Sequence, residues 1–233
     1  MKKPFQIAID GPVSAGKGTV SRLVADRLDF LYVDTGAMYR VAALIAQRHS
    51  ISFDQENGIV DLLKSVDIDI RQPSELEKDG RLTTVLLDGE DVSWAIRTES
   101  VSQGASKVAV HPQVRANLVE KQQLIAQKRN VVMEGRDITY RVLPQAQLKI
   151  YLTANDVVRA KRRHFQLQTR GESMTFDEVY TELIKRDKQD SERKTDPLQI
   201  TPDAWVIDTS DLSIEQVVDL IVAKTRIIQE QIG

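Results

Sequence analysis

The chain contains no cysteine, which excludes disulfides, thiolate metal sites and cysteine nucleophiles. It also lacks a long hydrophobic run. The first apolar stretch follows Lys2 and Lys3 but is interrupted by Gln6 and Asp10, so it is too short for a signal-peptide core or a bilayer span. These absences predict a cytoplasmic protein with no membrane partner.

The chain has little net charge, with a formal value of −2 over 233 residues. A nearly neutral balance argues against a protein whose whole surface binds nucleic acid. Hydrophobic residues make up 41% of the sequence and charged residues 28%, which is ordinary for a globular protein. The length predicts a substantial core, as one large domain or one core with insertions.

The most informative stretch is residues 7–19, IAIDGPVSAGKGT. A short apolar strand pattern ends at Asp10, and a glycine-flanked loop and a helical pattern follow it. Backbone N–H groups of such a loop can approach phosphate, the helix N-terminus attracts anions, and Lys17 would reach the β and γ phosphates. The pattern predicts an ATP-binding loop made of Gly11, Pro12, Val13, Ser14, Ala15, Gly16, Lys17, Gly18 and Thr19.

The loop departs from the strict nucleotide-binding motif after its lysine. The strict motif has Ser or Thr there as a magnesium ligand, whereas this chain has Gly18 and then Thr19. The motif therefore leaves the metal ligands unknown. The GKGT variant is more similar to nucleoside monophosphate kinases than to GTPases, and a plain strand-to-helix turn is the alternative interpretation.

The rest of the chain alternates apolar strand patterns with amphipathic helical patterns. Strands are predicted at 30–33, 131–133, 148–152 and 204–208, and each leads into a polar or glycine-bearing loop, which is typical of a parallel α/β sheet. Ligands bind beyond the carboxyl ends of such strands, so Asp34, Thr35 and Arg40 are expected near the phosphate loop. Asp34 and Thr35 could equally be an ordinary helix cap.

Two segments interrupt the alternating pattern. Residues 50–102 contain alternating apolar residues and the turn Asp88-Gly89, which predict a small antiparallel β insertion. Residues 156–194 predict two helices interrupted at Gly171. A charge run is usually a solvated helix face, but here its position also fits a lid over phosphates. Its basic residues are Arg159, Lys161, Arg162, Arg163, Arg170, Lys185, Arg186, Lys188, Arg193 and Lys194.

Together these motifs resemble the bacterial cytidylate kinase family over essentially the whole chain. The resemblance rests on IDGPVSAGKGT, VDTGAMYR at 33–40, EDVSWAIRT at 90–98, ASKVAVHPQVRANL at 105–118, EGRDI at 134–138 and LIKRDKQDSER at 183–193. Two departures are Thr139-Tyr140, where Gly-Thr is common, and Trp94, where smaller residues are usual.

The resemblance implies a single P-loop kinase domain: a parallel sheet flanked by helices, an antiparallel β insertion in the monophosphate-binding region and a helical lid. The expected core is about 1–40, 103–153 and 195–233, the insertion about 41–102 and the lid about 154–194.

The resemblance also implies site residues. The monophosphate would be held by Thr35, Arg40, Arg136 and Arg193, the cytosine by Ser106, Arg115 and Asp137, and the sugar region by Arg186 and Asp190. Asp34 is expected beside this acceptor site, and Arg159 and Arg163 on the ATP side. The expected catalytic residues are Lys17, Arg136, Arg186 and Arg193.

The implied reaction is transfer of the γ-phosphate of ATP to CMP or dCMP, with Mg²⁺ accompanying ATP. Because the sequence offers no evidence for a dimer seam, a monomer is the default expectation, and no nucleic-acid partner is expected. One alternative is a kinase for another nucleoside monophosphate or a small alcohol. A second is an ATP-switched regulatory or nucleic-acid-binding protein. The spacing of Phe165, Phe176 and Tyr180 predicts core residues rather than base-stacking residues, which disfavours the second alternative.

Overall fold

The computed structural model describes residues 3–77, 79–169 and 171–232. Arg170, one of the basic residues of the predicted lid, lies outside the described residues. The strands and α-helices in chain order are β1 (Gln6–Asp10), α1 (Lys17–Leu28), β2 (Leu31–Asp34), α2 (Thr35–Arg48), α3 (Glu56–Ser65), β3 (Ile68–Arg71), β4 (Thr84–Leu87), β5 (Glu90–Asp91), α4 (Glu99–Val108), α5 (Pro112–Lys128), β6 (Val131–Gly135), β7 (Leu148–Thr153), α6 (Asp156–Thr169), α7 (Phe176–Glu192), β8 (Trp205–Asp208) and α8 (Ile214–Ile232).

The main sheet has five parallel strands in the order β2-β6-β1-β7-β8. All five residues of β1 are buried, because β1 lies in the middle of the sheet and helices cover both of its faces. Successive side chains of a strand point to opposite faces. Ala8 accordingly packs in the core beside α2, and Ile7 and Ile9 pack in the core beside α1 and α8. The predicted parallel α/β architecture is confirmed.

The antiparallel insertion consists of β3, β4 and β5, paired in that order. Ile68 pairs with Leu87 and Ile70 with Val85, and these residues turn their side chains into the core. The predicted turn at Asp88-Gly89 joins β4 to β5. Helix α3 lies in the same region and was not predicted.

Helices α6 and α7 form the basic segment and pack against each other. Thr175 begins α7 with a capping box, in which its hydroxyl accepts from Glu178 N and the Glu178 side chain accepts from Thr175 N. Phe176 contacts His164 edge-on at 6.3 Å between ring centroids. The prediction of a core position is wrong for Phe165, which is 68% exposed.

Within the described ranges, no helix combines the length and apolar character that crossing a bilayer requires.

Candidate active site

The stretch predicted to bind nucleotide forms a loop between the carboxyl end of β1 and the first turn of α1. Gly11 lies against β7, where a Cβ atom would come within 2.0 Å of Leu152 O, so the site admits only glycine. Gly16 caps α1 with φ at 91°, a conformation that other residues rarely adopt. The first turn of α1 contains no acidic residue, so its positive dipole end meets no opposing charge from its own helix.

Lys17 is buried at the start of this helix, and its Nζ donates to Pro12 O at 2.8 Å. Burial, followed by the neighbouring Arg136 cation, lowers the pKa of Lys17 to about 7, against the opposing effect of Glu134 and Asp10. An anion beside Nζ would favour the charged form. The position and the pKa suit an ammonium that becomes fully charged when phosphate binds.

Asp10 ends β1 and organises the loop that follows β6. Its carboxylate accepts from Ile138 N at 2.9 Å, from Thr139 N at 2.8 Å and from Thr139 Oγ1 at 2.7 Å. Burial raises the pKa of Asp10 to about 6, and the hydrogen bonds from Thr139 and Ile138 oppose that rise. Residues Ile138–Val142 form a single π-helical turn, a geometry often found at functional sites. Thr139, at the departure from the family pattern, therefore has a defined partner.

Asp34 and Thr35 stand at the carboxyl end of β2. The Asp34 side chain makes no cap hydrogen bond and instead pairs with Arg40, with 3.1 Å between Oδ2 and Nη1. Burial acts to raise the pKa of Asp34, but the charge and hydrogen bond of Arg40, followed by the charge of Arg97, act against it, and the pKa falls below its usual value. Thr35 Oγ1 donates to Glu134 O at 2.8 Å, which ties the start of α2 to β6.

A group of arginines converges on the same edge of the sheet. Arg136 Nε donates to Asp190 Oδ2 at 2.6 Å, which joins the loop after β6 to α7. Desolvation and the charge of Arg136, followed by the charges of Arg163 and Arg40, lower the pKa of Arg186. These like charges repel one another, so the cluster has the electrostatics of an anion site.

Arg115 and Asp137 form the most deeply buried charged pair of this region. Arg115 Nη2 donates to Asp137 Oδ2, its Nη1 donates to Ala109 O at 3.2 Å, and its guanidinium lies 5.5 Å from the ring centroid of Tyr39. Burial raises the pKa of Asp137, and the charges of Arg115 and Arg193 oppose that rise.

Ser106 lies exposed on α4, which ends just before Ala109. The structure therefore brings Arg115, Asp137 and Arg193 together, and it places the Ser106 hydroxyl on the surface of the neighbouring helix.

Arg159 braces the phosphate loop from α6. It donates to Val13 O at 3.0 Å and to Ala154 O at 3.0 Å, and it pairs with Asp187 of α7 at 2.6 Å. Asp187 also accepts from Val13 N at 3.3 Å. Sequence reasoning missed Asp187, whose only signal was its place in a charged helix. Arg163 lies half-buried one turn further along α6.

At Gly18, where the strict motif has a hydroxyl, the chain has no side chain to bind a magnesium ion. Thr19, the next residue, is exposed. A Cβ atom on Gly18 would lie 3.4 Å from Tyr32 Oη and 3.6 Å from Glu134 Oε1, so a tyrosine hydroxyl and a carboxylate face the position of the missing side chain. Carboxylate oxygen fits Mg²⁺, which takes one or two carboxylates and completes its shell with phosphates and water. The described ranges contain no group of three or more His, Asp or Glu side chains that could hold a metal ion.

A glycine-flanked loop at the carboxyl end of a central parallel strand, facing converging arginines and the basic helices α6 and α7, defines a P-loop kinase. The sequence model of the family described as Cytidylate kinase matches residues 7–227. The chain belongs to the cytidylate kinase family and is a kinase.

Comparison with curated proteins gives the same family. A cytidylate kinase of Geobacillus sp. (strain WCH70) is 43% identical over 233 residues, which is 100% of each chain. A cytidylate kinase of Caldanaerobacter subterraneus subsp. tengcongensis is 48% identical over 214 residues, or 92% of this chain and 91% of the relative.

Among solved structures, an uncharacterized protein from Eubacterium ventriosum has a TM-score of 0.51 at 11% identity. The match covers 94% of this chain and 97% of that one, and indicates a shared fold.

Proposed function

We propose that the protein transfers the γ-phosphate of ATP to CMP or dCMP, giving CDP or dCDP, in pyrimidine nucleotide metabolism. Family membership supports the reaction. The observation that carries it is the convergence of Lys17, Arg136 and Arg186 beside the phosphate loop, where their charges repel one another until anions bind.

The donor ATP lies along the phosphate loop, residues 11–19, with Lys17 against the β and γ phosphates. Arg159 holds the loop from behind through Val13 O, and Arg163 belongs to the donor side of the lid. The N–H groups of Arg159 donate to backbone carbonyls and to Asp156, and its guanidinium pairs with Asp187. Arg159 therefore contributes to ATP binding by fixing the shape of the loop.

The acceptor phosphate lies among Thr35, Arg40, Arg136 and Arg193, with Asp34 holding Arg40 in place. The sugar lies beside Arg186 and Asp190. Cytosine meets Asp137, which accepts from the exocyclic amine, and Arg115, which donates to ring acceptors. Ser106 contacts the base only if α4 turns its exposed hydroxyl towards Arg115.

The acceptor oxygen is already anionic near neutral pH, so the reaction needs no general base. Catalysis comes from alignment and from spreading the transferred charge over Lys17, Arg136, Arg186 and Arg193. Glu134 would hold Mg²⁺ beside the phosphates, and the ion would neutralise charge on the donor.

Three parts of the chain contribute to substrate binding and phosphoryl transfer. Residues of about 1–40, 103–153 and 195–233 form the core, about 41–102 the insertion at the acceptor site, and about 154–194 the lid. Closing the lid excludes water, which would otherwise act as a competing acceptor. The protein works as a cytoplasmic monomer on small-molecule substrates, without nucleic acid.

The test is ADP formation by the purified protein with ATP, Mg²⁺ and each of CMP, dCMP, UMP, AMP, GMP and shikimate. Turnover is expected to be strongest with CMP and dCMP. Lys17→Ala is the matched control: it should abolish turnover while the far-ultraviolet circular dichroism spectrum is unchanged. Preferred turnover of another acceptor, or near-normal activity in Lys17→Ala, would contradict the proposal.

A further inference from the structure

Asp196 is a carboxylate that the proposed reaction does not use, yet it is directed at the buried base pocket. Its Oδ2 accepts from Arg115 Nε at 2.9 Å, and its Oδ1 lies 3.6 Å from Arg141 Nε. Arg115 is only 2% exposed and donates to Asp137 from its Nη2 atom. Asp196 and Asp137 therefore both accept hydrogen bonds from Arg115, the first from Nε and the second from Nη2.

The backbone around Asp196 is fixed in an unusual conformation. Its φ angle is 47°, in the left-handed region that non-glycine residues seldom adopt and that Asp and Asn tolerate best. Arg193 Nε donates to Asp196 O at 2.6 Å, and the Tyr140 hydroxyl donates to the next carbonyl, Pro197 O. Such a conformation persists only when the surroundings enforce it, so the direction of the carboxylate is set by several independent contacts.

The charges around the Asp196 carboxylate indicate how its removal would affect Arg115 and Asp137. Three cations, Arg115, Arg141 and Arg193, face two carboxylates, Asp137 and Asp196. Without Asp196, Arg115 would keep a buried, unpaired Nε, and Asp137 would be the carboxylate left to face both Arg115 and Arg193. Asp137 would then be less available to accept from an amine, and arginine N–H groups would be freed to donate.

We propose that Asp196 is a positioning residue for base selection: by fixing Arg115 through Nε, it leaves Asp137 Oδ1, the oxygen that Arg115 does not bind, to accept the exocyclic amine of cytosine. Uracil presents a carbonyl oxygen where cytosine presents the amine, so freed arginine donors favour uracil and an occupied Asp137 disfavours cytosine. This inference rests on the proposed function, since it assigns Asp137 and Arg115 to the base.

The experiment compares Asp196→Asn with wild-type enzyme at saturating ATP, measuring kcat and KM for CMP and for UMP and KM for ATP. Asn has nearly the same size and also tolerates the left-handed region, so the substitution removes the charge and spares the backbone. The ratio of kcat/KM for CMP to that for UMP should fall about tenfold or more, chiefly through KM for CMP. KM for ATP should stay unchanged.

Asp203→Asn is the matched control, because it removes an exposed carboxylate that pairs with Lys149 at 2.6 Å. It should leave the CMP-to-UMP ratio unchanged. An unchanged ratio in Asp196→Asn, or equal losses for both acceptors, would overturn the role of Asp196.

Arg115→Lys gives a second test, because lysine keeps the charge but lacks the Nε donor. If Asp196 acts through Arg115, the double variant Arg115→Lys with Asp196→Asn should change the ratio no more than Arg115→Lys alone. Additive changes would contradict the inference, even if Asp196→Asn alone folds poorly. Absence of CMP turnover in the wild type would instead contradict the proposed function.

Discussion

The hydrogen bond of the Thr139 hydroxyl is expected to stabilise the protein in a pH-dependent way, because it is donated to Asp10, a buried acid whose pKa is raised to about 6. Thr139 is 1% exposed, and its Oγ1 lies 2.7 Å from Asp10 Oδ2. Thr139→Val keeps the shape and removes the donor. A hydrogen bond contributes about 1 kcal/mol when both partners are neutral and about 1.5–3 kcal/mol when one is charged.

The pKa of Asp10, which burial raises from 3.8 to about 6, decides whether the cost of Thr139→Val rises or falls with pH. A raised carboxyl pKa means that the contribution of Asp10 to stability is greatest below pH 4 and is lost as pH rises through about 6. The hydrogen bond from the Thr139 hydroxyl lowers the pKa of Asp10, so Thr139→Val raises this pKa further. In the variant, the stability contributed by Asp10 therefore continues to fall up to a higher pH. The cost of the substitution should therefore grow with pH.

We expect Thr139→Val to lower the free energy of unfolding by about 1 kcal/mol at pH 5 and about 2 kcal/mol at pH 7.5. The corresponding falls in Tm are about 2–4 °C and about 4–8 °C for a chain of this size. Urea unfolding followed by circular dichroism at both pH values measures the difference.

The control is Thr225→Val, which removes a buried hydroxyl that donates to the neutral carbonyl of Ile221 at 2.8 Å. Its cost should be the same at pH 5 and pH 7.5. A cost of Thr139→Val that is equal at both pH values, or larger at pH 5, would refute the reasoning about Asp10.

Three further predictions concern the site. Because burial lowers the pKa of Lys17 to about 7, kcat/KM for ATP should fall as pH rises above about 7, while kcat stays level because bound phosphate restores the charge; a level kcat/KM up to pH 9 would contradict this. Gly11→Ala should cost about 3 kcal/mol in urea unfolding, because its Cβ would meet Leu152 O at 2.0 Å, and wild-type stability would show that the loop can move away. Asp137→Ala should weaken binding of CMP more than of ATP in isothermal titration calorimetry, and equal losses would argue against a role in reading the base.

The parallel sheet was predictable because each buried apolar run ends in a polar loop. Helix α3 was not predicted, although Ile59, Val60 and Leu63 have helical spacing. Gln55, the residue before it, makes no capping hydrogen bond with its side chain, so this boundary lacks a capping signal and has only the acidic Glu56 in the first turn. The alternating apolar pattern of residues 66–70, which follows directly, favours strands and so masks the helical spacing before it.

Some residues of the candidate site could be predicted from the sequence, and others could not. The phosphate loop is a local pattern and can be read directly from the sequence. Asp187 and Asp196 lie in strongly charged segments where no spacing distinguishes them from solvated residues, and only the tertiary structure gives them partners. The π-helical turn at Ile138–Val142 was likewise unpredictable, because it depends on Asp10, which lies 128 residues from Ile138.

The central place of β1 in the sheet also sets when the nucleotide loop can form during synthesis. β1 pairs with β6 and β7, and Phe5 N donates to Asn130, 125 residues later in the chain. At about 5–20 residues per second, the ribosome needs roughly 7–30 s to pass from β1 to the end of β7. A nascent chain released before Leu152 would carry the complete IDGPVSAGKGT sequence without the strand against which Gly11 is seated. The nascent protein is therefore expected to bind ATP only after about two thirds of the chain has been made and has folded.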